Sequence, residues 1–394
     1  MLAAVALVLA GCGGGVHARI SVDHPVALWD VPLRISVTGL TPNDHVPLRA
    51  TSRDGTGTRY VSSTWVTADS AGRVELTRQK AMRVLSSLRP VGLKRGVDFA
   101  YYPSGQAASF TLSIDGAHTT IRRLLVAPGV HGRPIRHPFC GEFFAPATAT
   151  RHRPGILVFG GSEGGLSTAG MAAFFASRGY PSLALAYFGE PGLPRNLLRV
   201  PLEYFATALR WLQQQSGVDP NRLVVEGISR DSEAAQLLGI HYPQLAHAVI
   251  AMVPANGSEC GITRITAADP VTRCIGPAWM FRGKAIPYAE GTTVTVPFPD
   301  ERINGPIFLD CAGLDQLWPS CPMAEAIVSR LHARGFRYRV TFLDYPDAGH
   351  GVGELVPNQI GYSSALGGLN AESNNDAAAT GWPKLLEFLG ALAK

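Results

Sequence analysis

The stretch Arg222-Leu-Val-Val-Glu-Gly-Ile-Ser229-Arg230 decides the fold, because it is an apolar run that ends in Gly-x-Ser. The segment that follows, Ser232-Glu-Ala-Ala-Gln-Leu-Leu238, is typical of a helix. We therefore predict a strand, a sharp turn at Ser229 and a helix. Such a turn holds a serine hydroxyl above the edge of a sheet, with the positive end of the helix dipole beneath it. The stretch favours a serine nucleophile over the alternative, an ordinary serine that caps a helix.

Two residues farther along the chain are candidates to complete a catalytic triad with Ser229. A free hydroxyl is a weak nucleophile at neutral pH, so Ser229 needs a base. His350 follows an apolar strand in Tyr345-Pro-Asp-Ala-Gly-His350, and Asp315 follows another in Leu309-Asp-Cys-Ala-Gly-Leu-Asp315. We predict that His350 is the general base and that Asp315 orients it, with Asp310 and Asp347 as alternative acids. The order Ser, Asp, His is the one that α/β-hydrolases use.

A glycine-rich loop, Phe159-Gly-Gly-Ser-Glu-Gly-Gly-Leu166, follows the first strand of the same region. It matches neither Gly-x-Gly-x-x-Gly nor the P-loop, since no Lys-Ser/Thr follows it. In an α/β-hydrolase this loop supplies one backbone N–H of the oxyanion hole, and the residue after the nucleophile supplies the other. We predict donors at Ser162 or Gly161 and at Arg230. A simple glycine-rich turn is the alternative.

Asp231 departs from the usual nucleophile pattern. Gly-x-Ser-x-Gly ends here in Asp231, where a small residue normally lets the turn pack tightly. An acid is favourable in the first turn of a helix. It could also widen the turn and lower activity.

The hydrophobic pattern changes near residue 136 and divides the chain into domains. Residues 18–135 hold short alternating segments separated by turn residues, which predicts an all-β immunoglobulin-like sandwich. Residues 136–394 alternate apolar runs with amphipathic segments, which predicts a mostly parallel sheet with helices on both faces. We interpret residues 257–303, which lack a clear period, as an insertion near the site. The predicted helices cover 169–178, 202–215, 323–334 and 382–392.

Composition and charge narrow the function classes. The chain has 394 residues, of which 46% are hydrophobic and 16% charged, as expected for a well-buried globular enzyme. The formal net charge of +5 is small for this length, and arginines are scattered rather than clustered with aromatics. Binding of nucleic acid therefore has little support, and a small-molecule substrate is expected. The oligomeric state cannot be predicted.

The first residues resemble a bacterial lipoprotein signal. Residues 1–12 are short and apolar and end in Leu9-Ala-Gly-Cys12, which reads as a lipobox with Cys12 as the lipidated residue. We interpret residues 1–17 as signal and tether and expect an exported protein anchored to a membrane by lipid. No Lys or Arg precedes Cys12, so the alternative is an apolar N-terminus that is not a signal, in a cytoplasmic protein.

The cysteines other than Cys12 are compatible with export. In an oxidising compartment, Cys260–Cys274 and Cys311–Cys321 would be the local disulfides, leaving Cys140 free. The alternative is that all of these thiols are reduced. No cysteine or histidine spacing is typical of a metal site, and we expect neither a metal nor a cofactor.

With these residues placed, the chain resembles the acyl-CoA thioesterase and bile acid-CoA:amino acid N-acyltransferase family. The resemblance covers nearly the whole chain after the tether, including the sandwich. The segments that carry it are 159–165, 183–189, 192–194, 202–205, 227–229, 313–320 and 345–350. It implies that Ser229, Asp315 and His350 are the nucleophile, the orienting acid and the base in cleavage of an acyl thioester. The amino-acid-conjugating branch has a cysteine nucleophile, so the serine here favours hydrolysis.

The expected function is therefore a serine hydrolase that cleaves acyl thioesters through an acyl-serine intermediate. Acyl transfer to an amine or alcohol, or hydrolysis of another ester by an exported carboxylesterase, is the first alternative. A catalytically silent binding lipoprotein, in which Asp231 marks decay of the nucleophile turn, is the second.

Overall fold

The computed structural model describes residues 17–94, 96–148, 153–264, 273–290, 296–369 and 371–393. Cys12 and the other residues of the predicted lipobox lie outside the described residues. Within the described ranges, no helix combines the length and the apolar content needed to cross a membrane.

The N-terminal part of the chain forms two sheets that share an apolar core. One sheet has the strand order β1-β3-β6 and the other β2-β10-β9-β4-β5-β7. Alternate residues of β9 point inward, with Phe110, Leu112 and Ile114 buried, as the period of a strand requires. The strands are β1 (Arg19–Val22), β2 (Val26–Leu28), β3 (Ile35–Thr38), β4 (His45–Arg53), β5 (Arg59–Thr67), β6 (Val74–Leu76), β7 (Arg89–Pro90), β8 (Phe99–Ala100), β9 (Ala107–Ile114) and β10 (Ala117–Leu124).

A helix lies inside this domain, which the sequence pattern predicted to be all-β. The helix α1 (Arg78–Ser86) begins after Thr77, whose side chain accepts a hydrogen bond from the Lys80 N–H. Its buried residues include Met82 and Leu85, and they pack into the sandwich core. The sandwich domain therefore contains one helix among its strands, and the prediction of an all-β domain is corrected on this point.

The C-terminal part is built on an eight-stranded sheet with the order β11-β12-β14-β13-β16-β17-β23-β24. Six neighbouring strands of this sheet run parallel to one another: β14, β13, β16, β17, β23 and β24. The strands β11 and β12 are antiparallel at one edge. The sheet strands are β11 (Gly132–Ile135), β12 (Cys140–Phe144), β13 (Arg153–Phe159), β14 (Ser182–Ala186), β16 (Val218–Ile228), β17 (Ala248–Met252), β23 (Ile307–Ala312) and β24 (Val340–Tyr345). Because β11 belongs to this sheet, the sheet begins at Gly132, slightly before the predicted boundary at 136.

Helices connect the parallel strands, as the α/β-hydrolase architecture requires. They are α2 (Ala169–Ser177), α3 (Leu202–Gln213), α4 (Arg230–His241), α5 (Ser320–Ala333) and α6 (Ala371–Leu392), with short 3₁₀ turns at Asp300–Arg302, His350–Glu354 and Ser364–Leu366. The helix α4 is buried on all sides, so it lies in the middle of the domain.

The predicted insertion forms small sheets at the side of the domain. Their orders are β15-β20-β21 and β19-β18-β22. The strands are β15 (Val200–Pro201), β18 (Ser258–Ile262), β19 (Cys274–Pro277), β20 (Trp279–Phe281), β21 (Lys284–Ala285) and β22 (Tyr288–Ala289). A further strand, β25 (Gly361–Tyr362), pairs with β8 of the sandwich and joins the two domains.

Candidate active site

Ser229 occupies a strained turn between β16 and α4. Its backbone has φ 60° and ψ −126°, a conformation that non-glycine residues adopt only when the surrounding structure enforces it. The Ser229 N–H donates to the Met252 carbonyl at 3.0 Å, which ties the turn to the neighbouring strand β17. At Gly227, a Cβ would lie 2.1 Å from the Asp231 carbonyl oxygen, so only glycine fits there.

Hydrogen bonds link Ser229, His350 and Asp315 in a line. His350 Nε2 lies 2.8 Å from Ser229 Oγ, and His350 Nδ1 lies 2.8 Å from Asp315 Oδ2. The second Asp315 oxygen accepts the N–H groups of Leu317 and Trp318 at 2.9 and 3.2 Å. This arrangement is the one in which a histidine removes a proton from a serine while a carboxylate holds its ring.

The two alternative acids have other partners. Asp310 is buried in β23, and its Oδ1 accepts the Val253 N–H at 2.7 Å. The Asp347 backbone carbonyl accepts the Leu369 N–H at 2.9 Å. Neither carboxylate is hydrogen-bonded to His350 in the described part of the chain, so the structure brings Asp315 to the imidazole.

The glycine-rich loop lies over the nucleophile. A Cβ on Gly161 would be 3.8 Å from the Ser229 Cβ. The Gly161 N–H itself donates to Glu163 Oε1 at 3.0 Å, and the same oxygen accepts the Ser167 hydroxyl. The Gly161 N–H is therefore engaged inside its own loop, and Ser162 stays the predicted donor from this loop.

Arg230 is held by its side chain so that its backbone stays at the start of α4. Its guanidinium group is buried and donates to Glu233 Oε1 at 2.6 Å and to Glu259 Oε2 at 3.2 Å. It also donates to the Cys260 carbonyl at 2.9 Å. The Arg230 N–H is thus at the helix N-terminus beside Ser229, where the helix dipole favours developing negative charge.

The Asp231 side chain points into the protein and does not displace the turn at Ser229. Its side chain is fully buried and accepts a hydrogen bond from the Tyr187 hydroxyl. Burial raises the pKa of the Asp231 carboxyl well above its usual range, against the effect of the Tyr187 hydrogen bond. Of the two possibilities raised by the sequence, the structure has the tolerated acid, since Ser229 and His350 lie at hydrogen-bonding distance.

The cysteines behave differently from one another. Cys311 at the end of β23 and Cys321 at the start of α5 form a disulfide with an S–S distance of 2.05 Å. Cys260 and Cys274 are free thiols, and so is Cys140. The predicted Cys260–Cys274 bond is therefore corrected. In the β18–β19 register Cys260 pairs with Pro277 and Cys274 with Ile262, so the two cysteines do not lie directly opposite each other. Their thiols interact, and Cys274 adds to the rise that burial causes in the pKa of Cys260, but no disulfide joins them.

A cavity of about 770 Å³ opens onto Ser229 and His350. The hydrolase domain supplies part of its wall through Met171 and Phe174. The sandwich supplies another part through Trp29, Tyr101 and Leu125, among others. No local sequence motif marks these sandwich residues as part of a site. Only the packing of the two domains shows that they line the cavity.

Glu354 is a further site residue that sequence reasoning missed. It ends the 3₁₀ turn that starts at His350, and its side chain faces the cavity. Gln359 Nε2 donates to Glu354 Oε2 at 2.6 Å. The available signal was the spacing of four residues between His350 and Glu354. Glutamates at such a spacing are common, so this signal does not single out Glu354.

Two family descriptions match the chain. Residues 30–93 match "Acyl-CoA thioester hydrolase/BAAT N-terminal region", and residues 200–276 and 281–392 match "BAAT / Acyl-CoA thioester hydrolase C terminal". The first match lies in the sandwich. The second covers the turn at Ser229 and all three hydrogen-bonded residues, Ser229, His350 and Asp315.

Curated relatives agree with these matches. Acyl-coenzyme A thioesterase 1 of Mus musculus is 29% identical over 353 residues, which cover 82% of this chain and 82% of that protein. Acyl-coenzyme A thioesterase 6 of Homo sapiens is 28% identical over 403 residues, covering 91% of this chain and 93% of that protein. The peroxisomal succinyl-coenzyme A thioesterase of Mus musculus is 26% identical over 402 residues, covering 92% and 93%.

Among solved structures, a carboxylesterase from Lactobacillus plantarum aligns with a TM-score of 0.44 at 17% identity, covering 67% of this chain and 98% of that one. From the family matches and the curated relatives, the chain belongs to the acyl-CoA thioester hydrolase/BAAT family.

Proposed function

We propose that this member of the family is a serine hydrolase that cleaves acyl thioesters. The observation that carries the proposal is the hydrogen-bonded line Ser229–His350–Asp315 at the opening of a largely apolar cavity. A cavity of this size suits an acyl chain, because ligand pockets generally occupy about 300–1,000 Å³. The names of the curated relatives, acyl-coenzyme A thioesterases, point to the same bond.

The geometry supports a two-step reaction. His350 Nε2 takes the proton from Ser229 Oγ as the oxygen attacks the acyl carbonyl carbon. The carbonyl oxygen becomes an oxyanion that the N–H groups of Ser162 and Arg230 stabilise. The tetrahedral intermediate then collapses, the carbon–sulfur bond breaks, and His350 returns its proton to the thiolate. Water, deprotonated by the same imidazole, then attacks the acyl-serine carbonyl carbon. The bond between that carbon and Ser229 Oγ breaks, His350 returns its proton to Ser229 Oγ, and the carboxylic acid is released.

The first prediction concerns Ser229. Ser229→Ala should lower kcat/KM for acyl-CoA thioesters by at least about 10³-fold, because removing a triad member leaves only the binding and oxyanion contributions. Release of free thiol measures the rate, and a fluorophosphonate probe should label Ser229 in the wild-type chain. Ser216→Ala, an exposed serine on a turn, is the matched control and should retain wild-type rates. Full turnover by Ser229→Ala would contradict the proposal.

We further propose that the chain is an exported lipoprotein attached through Cys12. The sequence Leu9-Ala-Gly-Cys12 supports this, and the Cys311–Cys321 disulfide is compatible with an oxidising compartment. In a bacterial host, Cys12→Ser should shift the protein from the detergent-extracted membrane fraction to the aqueous fraction, and Cys140→Ser should leave it in place. A wild-type chain found only in the aqueous fraction would overturn the proposal.

A further inference from the structure

The cavity beside Ser229 has a largely apolar wall. The helix α2 contributes Met171 and Phe174, and the sandwich contributes Trp29 and Val126. Leu366 contributes from the 3₁₀ turn that precedes α6. Apolar side chains favour a hydrocarbon chain, since burial of each methylene is worth about 0.8 kcal/mol. The cavity is therefore suited to the acyl part of a thioester.

The charges in this wall have one sign. Among the described residues that line the cavity, Glu163 and Glu354 carry ionisable carboxyls, and none is lysine or arginine. Both glutamate side chains form part of the cavity wall. Glu163 is adjacent to Ser162 in the glycine-rich loop, and Glu354 lies one short turn from His350. A chain bound against Ser229 therefore lies beside two acids.

The arginines near the cavity, Arg230 and Arg264, bind other groups. The Arg230 guanidinium is paired with Glu233 and Glu259. Arg264 donates to the backbone carbonyls of Glu163 and Gly189 at 2.9 and 2.7 Å, and it does not line the cavity. Among the described lining residues there is consequently no cation to accept a second negative charge.

Burial raises the pKa of the Glu354 carboxyl, and the neighbouring Glu163 adds to this rise although the Gln359 hydrogen bond opposes it. The wall thus already holds acids that repel each other. A ligand that brought a further carboxylate would add repulsion, and like charges placed together without a partner are strongly unfavourable in a partly desolvated site.

We propose that this cavity accepts acyl groups with an uncharged far end and discriminates against acyl groups that end in a carboxylate, with Glu354 as a specificity-determining residue. The inference rests on the proposed thioesterase function. It separates this chain from an enzyme that acts on the thioesters of dicarboxylic acids, whose second carboxylate requires a cationic partner.

The experiment compares three thioesters of the same small thiol, N-acetylcysteamine: octanoyl, suberoyl, and the monomethyl ester of suberoyl. They share a reacting group, and the last matches suberoyl in length without its charge. At about pH 8, where the free carboxyl of the suberoyl chain is ionised, wild-type kcat/KM should be at least about tenfold lower for suberoyl than for the other two, or about 1.4 kcal/mol. Thiol release is the readout.

Glu354→Gln should reduce this discrimination by at least about threefold. Glutamine keeps the size of the side chain and its contact with Gln359. Glu325→Gln removes an equal charge from the exposed face of α5, outside the cavity, and should leave the ratio unchanged. The wild-type comparison needs no variant, so it tests the proposal even if Glu354→Gln fails to fold.

The possible failures are distinguishable. Equal wild-type rates on all three thioesters would overturn the inference while leaving the thioesterase function intact. A normal wild-type preference that Glu354→Gln does not change would overturn the assignment to Glu354. Hydrolysis of none of the three by a correctly folded chain would instead count against the proposed function itself.

Discussion

Ser229 shows how a single residue is fixed by the structure around it. A positive φ at a non-glycine residue costs on the order of 1–3 kcal/mol. The turn is held by the Ser229 N–H bond to Met252 and by the close approach of Gly227 to the backbone of Asp231. These contacts keep the hydroxyl aimed at His350. The local sequence predicted the turn because the apolar strand and the helix meet at one serine.

Asp231 shows the limit of a local pattern. The sequence shows a departure from Gly-x-Ser-x-Gly, but not where the carboxyl points. In the structure it is bonded to Tyr187, which is 44 residues away in the chain. Because Tyr187 follows a different strand, the sequence around Ser229 alone could not predict whether Asp231 widens the turn.

Two buried acids lie beneath the site, in the strands that carry Ser229 and Asp315. Glu226 is fully buried, and neither of its carboxyl oxygens has a hydrogen-bond partner among the described residues. Burial raises the pKa of Glu226 to about 8, with Asp310 and Glu354 adding to the rise. Burial likewise raises the pKa of Asp310 to about 7. These carboxyls are therefore protonated in the folded protein under mildly acidic conditions.

The raised pKa of Glu226 leads to a prediction about stability. A carboxyl with a raised folded-state pKa destabilises the fold as the pH rises from its unfolded pKa, near 4.5, through about 8. Glu226→Leu removes this loss and the unpartnered oxygens. The variant should have a free energy of unfolding about 2 kcal/mol higher than wild type at pH 8, with a smaller difference at pH 5.

Urea unfolding at the two pH values measures this difference. Glu325→Leu, at an exposed position, is the control and should show no pH-dependent gain. A difference for Glu226→Leu that is the same at pH 5 and pH 8 would show that titration of this carboxyl does not contribute to stability.

At the scale of elements, the parallel strands and most connecting helices were predictable. The strands β13, β14 and β17 coincide closely with continuous apolar runs. Such runs are distinctive because a strand buried on both faces needs apolar residues at every position. The helix α6 was predicted only from residue 382, whereas it begins at Ala371. Gly381 and Pro383 interrupt the helical pattern and concealed its first half.

The loop between β23 and α5 was predicted as the source of the acid, but its closure was not. The Cys311–Cys321 disulfide joins its two ends, and the Ser320 hydroxyl bonds the Ala312 backbone there. Together they fix the short segment that carries Asp315. The sequence could list two local cysteine pairs, but only strand register and helix placement distinguish the bonded pair from the free one.

At the scale of the whole molecule, the sandwich and the hydrolase domain are joined by buried polar contacts. Asp30 of the sandwich is paired with Arg178 at the end of α2, and it accepts the Trp382 indole N–H at 2.7 Å. A second pair, Arg83 with Asp376, joins α1 to α6 at 2.5 Å and is largely exposed. Trp29, next to Asp30, lines the cavity, so this junction also positions the cavity wall.

The Asp30 contacts give a prediction about domain coupling. Asp30→Ala leaves the Trp382 N–H and a partly buried Arg178 without their partner, so the apparent free energy of unfolding should fall by about 2 kcal/mol. Asp376→Ala removes an equivalent but exposed ion pair and should cost less than about 1 kcal/mol. Urea unfolding of both variants compares them, and equal losses would contradict the importance of burial at Asp30.

The sequence by itself determined the types of most elements, the turn at Ser229 and the order Ser, Asp, His. These features depend on local periodicity and on neighbouring residues, which the chain displays directly. The sequence placed Asp315 first among three candidate acids, and the tertiary structure brings Asp315 to His350. The tertiary structure alone decided which thiols bond and which acids share the cavity with the sandwich residues. Those outcomes join residues far apart in the chain, and their distances are set by the packing of strands, helices and domains.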